Sequence, residues 1–245
     1  MHASKRPRSA GRIGCQDVTA STRYSEEVGF LAALDRFNSR HPWSHNDVYT
    51  RFIIREARAV RRRGGETAVD VGCGTGNLVA ELACVFPDVR GMEPDLPTAA
   101  TAAARFSGSG SVRIEQREFQ DEDGSQYDFI VFVASLHHMP LTPALEQARQ
   151  SLRLGGRIVI VGVARETKAD TFYSLASLAL NPVFGLLRHP RRADQPPANM
   201  KAPTTAATDS YDEIRRAIQE VLPGTRMRRR LFWRYTATWS SVERF

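Results

Sequence analysis

The stretch Val69-Asp70-Val71-Gly72-Cys73-Gly74-Thr75-Gly76-Asn77 decides the fold. Apolar residues at 69 and 71 belong to a short buried strand predicted over 67–71, and residues 78–86 read as a helix. Between the two lie glycines at 72, 74 and 76, the pattern GxGxG. Glycine lets a backbone turn sharply and come close to a ligand. The helix that follows offers free N–H groups at its positive end, where a carboxylate or a phosphate is stabilised. A dinucleotide fingerprint would place Gly or Ala three residues after Gly74, and Asn77 stands there instead.

The text around the loop alternates strand and helix. Strands are predicted over 89–93, 112–116, 129–134 and 157–163, and helices over 98–106 and 143–152. Repeated βα units make a parallel sheet covered by helices on both faces, with right-handed crossovers. Upstream, residues 1–22 read as a disordered basic tail and 25–38 as a short amphipathic helix, broken at 41–46. A second helical pattern has Tyr49, Phe52, Ile53, Ile54 and Ala57 as its apolar face and stops at Arg61-Arg62-Arg63-Gly64-Gly65. After Ala164 the alternation lapses. Residues 172–187 are apolar, 189–207 read as a loop, and 211–222 form a helix ended by Pro223-Gly224. The aromatic stretch 231–239 is β-like and supplies the last strand or strands, with no hairpin turn to fix their number.

The bulk numbers bound the answer. At 245 residues the chain is long enough for one large α/β domain and short for two. Its formal net charge of +7 permits contact with nucleic acid, membrane headgroups or acidic substrates and specifies none. Cys15, Cys73 and Cys84 form no CxxC pair, which argues against a zinc site or a redox dithiol. The odd count and the absence of an apolar leader lead us to expect a reducing, cytoplasmic setting. No apolar run reaches the ~20 residues of a membrane span.

Two carboxylates narrow the ligand. Glu93 closes the second predicted strand about 20 residues after the loop, where an acid meets ribose hydroxyls. Asp70 closes the first strand beside the glycines and could receive a ligand ammonium or order the loop. An adenosine carrying an amino-acid tail uses all three features, whereas a pyrophosphate gains nothing from Asp70.

At this point residues 68–76 resemble the first motif of class I S-adenosylmethionine (SAM)-dependent methyltransferases, the small-molecule group that includes the ubiquinone and menaquinone enzymes. Met92-Glu93-Pro94-Asp95 looks like the second motif of that family, and Glu118-Phe119-Gln120-Asp121 falls where the family contacts adenine. Residues 127–131 resemble the fourth motif. Residues 151–157 resemble the L-x-P-G-G turn before the fifth strand, with Leu154 in the place of the usual Pro. The resemblance covers about 66–164. It implies an α/β, Rossmann-like, doubly wound and mostly parallel sheet with an antiparallel C-terminal edge and an N-terminal helical lid. It divides the chain into the tail 1–22, a lid 23–64, and a SAM-binding domain 65–245 with an apolar cap at about 165–210. The implied cofactor contacts are Asp70, Gly72, Cys73, Gly74, Gly76, Asn77, Glu93, Pro94, Glu118, Phe119, Ala134 and Ser135, together with Tyr49 of the lid. Packing is the alternative use of Tyr49.

Methyl transfer from a sulfonium mainly requires alignment, and a base only where the acceptor must lose a proton. The family places the acceptor beyond the fourth strand, here Ala134-Ser135-Leu136-His137-His138-Met139. His138 is the first candidate base and His137 the second, against the alternative that one packs on the next helix and the other orients the cofactor. The loop lacks the [N/D]-P-P-[Y/F] motif of enzymes that methylate base amino groups, which argues against methylation of adenine or cytosine amino groups and leaves other RNA sites open. The apolar stretch 172–187 points to a small apolar or aromatic acceptor, and Arg188, Arg191 and Arg192 beside it leave peripheral membrane contact open. Three rivals stand against this reading: an RNA methyltransferase, raised by the arginine runs; an NAD(P)-dependent oxidoreductase, opposed by Asn77; and a non-catalytic partner of the same fold.

Overall fold

The computed structural model of the chain describes residues 48–121, 124, 126–167, 170, 177, 207–231 and 233–241. The expected tail, the first lid helix, the break at 41–46 that holds His45 and Asn46, and most of the apolar cap lie outside the described residues.

Seven strands form one sheet in the order β3-β2-β1-β4-β5-β7-β6. The strands β1 (Thr67–Val71), β2 (Asp88–Met92), β3 (Val112–Glu115), β4 (Tyr127–Val133) and β5 (Leu152–Val163) run parallel. β7 (Arg234–Ser240) returns antiparallel to β5, and β6 (Arg226–Arg229) pairs antiparallel to β7 on the outside. The helices are α1 (Thr50–Arg61), α2 (Asn77–Ala83), α3 (Leu96–Arg105), α4 (Leu141–Gln150) and α5 (Tyr211–Val221). The α/β architecture with its antiparallel edge is therefore the expected one.

Side chains alternate across each strand, so a sheet buried on both sides builds two cores. On one face Ile130 and Phe132 of β4 meet Leu145 of α4 and Ile218 of α5. On the other, Phe129 and Val131 meet Ile53 of α1 and Leu82 of α2. The second lid helix is thus part of the main core. Among the described residues no helix is long and apolar enough to cross a membrane.

The amino ends of the central strands are tied by one carboxylate. Asp128 Oδ2 accepts from the Glu66 and Thr67 amides at 2.8 and 2.9 Å, from Thr67 Oγ1 at 2.9 Å and from Arg153 at 3.1 Å. Partial burial works against its charge, but these donors and the Arg153 cation win, so its pKa lies below the ordinary carboxylate value.

Several boundaries differ from expectation for local reasons. β5 begins at Leu152 rather than 157, because Leu152 already pairs with Tyr127 and an irregularity in the ladder absorbs the Gly155-Gly156 turn. α4 begins two residues early, and Pro143 sits in its first turn, where a missing N–H leaves no intrahelical bond unmade. α3 starts at Leu96, because Asp95 caps it by accepting from the Thr98 amide at 3.1 Å. The C-terminal stretch, whose strand number the sequence left open, is a hairpin closed by the bond from the Arg230 amide to the Arg234 carbonyl, 2.8 Å long.

Replacing Asp128 with Ala removes the acceptor of the exposed Glu66 amide and the partly buried Thr67 amide, so we expect a loss of about 1 kcal/mol in urea unfolding at neutral pH. Because the folded pKa is depressed, this contribution is present above the unfolded carboxylate value and fades as pH falls through the folded one. A variant as stable as the parent at neutral pH would show that the knot does not hold the strands.

Candidate functional site

In an open parallel sheet ligands bind beyond the carboxyl ends of the strands, where the order reverses. Here that point lies at β1, with β2 on one side and β4 on the other. The glycine loop leaves β1 at this edge and is anchored at once: the Gly72 and Cys73 amides donate to the Met92 carbonyl at 2.8 and 2.9 Å.

Two glycines are dictated by space as well as by backbone angle. Gly72 has φ +74°, and a Cβ on it would come within 2.4 Å of Ser135 Cβ. Gly76 has φ +81°, and a Cβ there would meet the Phe106 ring at 2.6 Å. Gly76 also caps α2 in the left-handed region, so the loop runs directly into the helix amino end.

Asp70 is 2% exposed, and its Oδ1 has no hydrogen-bond partner. Burial first, and then the charge of Glu93, push its pKa up to about 7. Native structures rarely leave such an atom unsatisfied, and a missing ligand is one of the few explanations. Glu93, just past the end of β2, accepts from the Gly74 amide at 2.9 Å and from the Asp95 amide at 3.1 Å. It therefore organises the loop while remaining half-buried beside it. The Cys73 thiol is held protonated, raised by burial and by the Asp70 and Glu93 charges, and is no nucleophile.

The β4 loop closes the other side. Ser135 is buried and donates from Oγ to the Val71 carbonyl at 2.5 Å, binding the ends of β4 and β1 together. Ala134 has φ +53°, a strained angle for a residue with a Cβ. Residues Leu136–His138 form a short 3₁₀ turn, with the His137 and His138 rings 4.0 Å apart and His138 exposed.

Other anticipated residues carry side chains engaged elsewhere. Phe119 is in the core, edge-on to Phe132 at 5.5 Å, so its backbone is the part left to meet a ligand. Glu118 and Pro94 are exposed. Asn77 accepts from Arg105 at 2.6 Å, and Arg105 also reaches the Thr75 carbonyl at 3.3 Å. That clamp on the loop was not anticipated, because nothing local links residue 105 to residue 77. Tyr49 is buried and donates to the Leu231 carbonyl at 2.7 Å, with its pKa pushed up to about 12 by burial.

The glycine cradle, the unsatisfied buried acid and the acid that orders the loop suit a nucleoside ligand carrying a cationic amine. Residues 69–158 match the family described as a methyltransferase domain. Over 205 residues, 81% of this chain and 96% of the relative, the chain is 28% identical to an uncharacterized methyltransferase of Mycobacterium bovis. It is 25% identical to the ubiquinone biosynthesis O-methyltransferase of Azorhizobium caulinodans over 80% of this chain and 79% of that one. The fold also matches the N-methyltransferase NodS of Bradyrhizobium japonicum, with a TM-score of 0.52 and 12% identity over 80% of this chain and 97% of that one. The methyltransferase-domain match and the relatives named methyltransferase make the chain an enzyme of that class. These likenesses, with the loop and its two acids, support a class I SAM-dependent methyltransferase with S-adenosyl-L-methionine as its cofactor.

A raised folded pKa means that Asp70 costs the ligand-free protein stability as pH climbs from the ordinary value near 3.8 to about 7, and no further above it. Ligand-free Asp70→Asn is therefore expected to melt above the parent at pH higher than about 7, with the gap closing towards pH 4. Thermal melts across that range check this, and a gap that does not vary with pH would show that the carboxyl is not desolvated in the parent.

Proposed function

We propose that the protein transfers a methyl group from SAM to a small apolar or aromatic organic acceptor, with the glycine loop, Asp70 and Glu93 as the core of the cofactor site. The observation that carries this reading is the buried Asp70 oxygen left without a partner beside the loop. In this reading ionised Asp70 receives the cofactor's ammonium, Glu93 accepts from the ribose hydroxyls, and the amino end of α2 faces the carboxylate. The backbone at 118–119 meets the adenine, and Ala134 and Ser135 line the methyl side. Residues 23–64 lid the cofactor, and about 165–210 cap the acceptor.

Bound SAM supplies a methyl group already activated on a sulfonium. The protein's task is then to hold the acceptor in line and keep water away. Where the acceptor must lose a proton, His138 takes it, with His137 as the second candidate. The ubiquinone biosynthesis enzyme among the relatives supports an organic acceptor of modest size. The basic run of β6 does not favour RNA: Arg226 and Arg228 are exposed while Arg229 turns inward to Asp170, so it makes no single cationic face.

Calorimetric titration is expected to show binding of S-adenosylhomocysteine and none of NADH. Asp70→Asn and Glu93→Ala should each weaken the former by about tenfold or more. Failure of S-adenosylhomocysteine to bind the parent would overturn the reading, and unchanged affinity in either variant would remove that residue from the site. With an acceptor that loses a proton, His138→Ala should lower kcat by about 10²-fold or more while leaving cofactor affinity intact. Unaltered turnover would return His138 to the scaffold.

A further inference from the structure

The antiparallel return of β7 brings a tyrosine to the ligand edge. Because β7 runs against β5, its second residue, Tyr235, pairs with Gly162 near the carboxyl end of β5. The ring lies across that glycine, and a Cβ on residue 162 would come within 2.3 Å of Tyr235 Oη. Tyr235 is 2% exposed and belongs to the core shared with α4 and α5. Packing over a glycine uses the ring and not the hydroxyl, since phenylalanine would fill the same space.

The hydroxyl needs another explanation. A buried tyrosine hydroxyl usually finds a hydrogen-bond partner, and leaving that bond unmade is costly. Tyr235 Oη makes no hydrogen bond among the described residues. Its ring meets Tyr211 edge-on at 6.2 Å, a contact that leaves the hydroxyl unused. Burial first, and then interaction with Asp209 and Tyr211, push its pKa well above the ordinary phenol value. Tyr235 therefore keeps its proton at neutral pH and stands ready as a donor.

A cleft opens at this point, walled by Leu136, Leu141, Val163 and Ile214 with Asp209 and Tyr235. Leu136 and Leu141 flank the histidine turn that follows β4, and His137 also lines the cleft. Asp209 is exposed, and its backbone is pinned beside the end of β5 by the Arg165 amide, which donates to its carbonyl at 2.8 Å. The cap of α5 is made by Ser210 with Glu213, so the Asp209 carboxylate has no part in it. The neighbouring cation is engaged too: Arg165 donates to the Thr208 carbonyl at 2.8 Å and pairs with Glu213 at 3.4 Å. The Asp209 carboxylate forms no hydrogen bond or ion pair among the described residues. Apolar walls thus enclose a hydroxyl donor and a carboxylate acceptor that the fold itself does not use, which is the make-up of a small-molecule site.

A hydroxyl group answers both, because it accepts from a phenol and donates to a carboxylate. A carbonyl or an ether offers nothing to Asp209, and an ammonium offers nothing to Tyr235. We propose that Tyr235 and Asp209 bind a hydroxyl group of the methyl acceptor, Tyr235 donating to its oxygen and Asp209 accepting from its O–H. This rests on the methyltransferase reading above and narrows the acceptor to hydroxylated compounds. The bound hydroxyl fixes how the acceptor's apolar body lies against Leu136 and Leu141, beside the histidine turn.

The test uses the full chain saturated with S-adenosylhomocysteine and titrated with phenol and with toluene, followed by NMR of the probe. The two probes have the same shape, and a cleft without polar partners prefers toluene, because phenol must give up its hydration. The parent is expected to bind phenol at least as tightly as toluene. Tyr235→Phe should lower phenol affinity by about tenfold and leave toluene and S-adenosylhomocysteine unchanged. It should also melt no lower than the parent, since the hydroxyl it removes bonds to nothing in the fold. Asp209→Ala, at an exposed position, should lower phenol affinity in the same direction and spare toluene. A parent that prefers toluene or binds neither probe would overturn the hydroxyl site. So would a Tyr235→Phe variant that binds phenol as the parent does, weakens both probes equally, or melts lower, and so would an Asp209→Ala variant with unchanged phenol affinity. Failure of S-adenosylhomocysteine to bind the parent would instead overturn the methyltransferase reading, so the two failures are distinct.

Discussion

A carboxyl group buried at the end of the central strand, with one oxygen bonded to nothing, is the constraint around which this protein is arranged. Burying an ionisable acid without partners costs several kcal/mol unless the group stays protonated. The fold holds Asp70 there by force of its neighbours. β1 has parallel strands on both sides and a core on each face, so residue 70 has no freedom to swing towards water. Glu93 adds a second acid close enough to raise the pKa of the first, while its own oxygens are held by the Gly74 and Asp95 amides. In the proposed reading, a cationic ligand paired with Asp70 recovers the stability given up here.

The two edges of the sheet divide the labour. At the amino edge Asp128 Oδ2 takes several donors and its carboxyl is low in pKa, and it ties β1, β4 and β5 together. At the carboxyl edge Asp70 Oδ1 has no hydrogen-bond partner, the backbone is strained at Ala134 and Trp233, and glycine permits approaches that no other residue allows. The same residue type, aspartate, serves both ends because its surroundings differ.

Much of this was legible in the sequence. GxGxG between a strand and a helix, Asp70 before it and Glu93 beyond the next strand placed the loop and its carboxylates without coordinates, because each depends on short-range pattern. The alternation of β and α placed the sheet for the same reason. What could not be read depends on contacts distant in sequence. Phe119 belongs to the core because Phe132 lies edge-on to it, and Asn77 is engaged because α3 ends with Arg105 beside it. The early start of β5 follows from pairing of Leu152 with Tyr127, which overrides the turn propensity of Gly155-Gly156. The hairpin at 230–233 carries no glycine or Asn-Gly pair; its turn is held by Tyr49, 182 positions away.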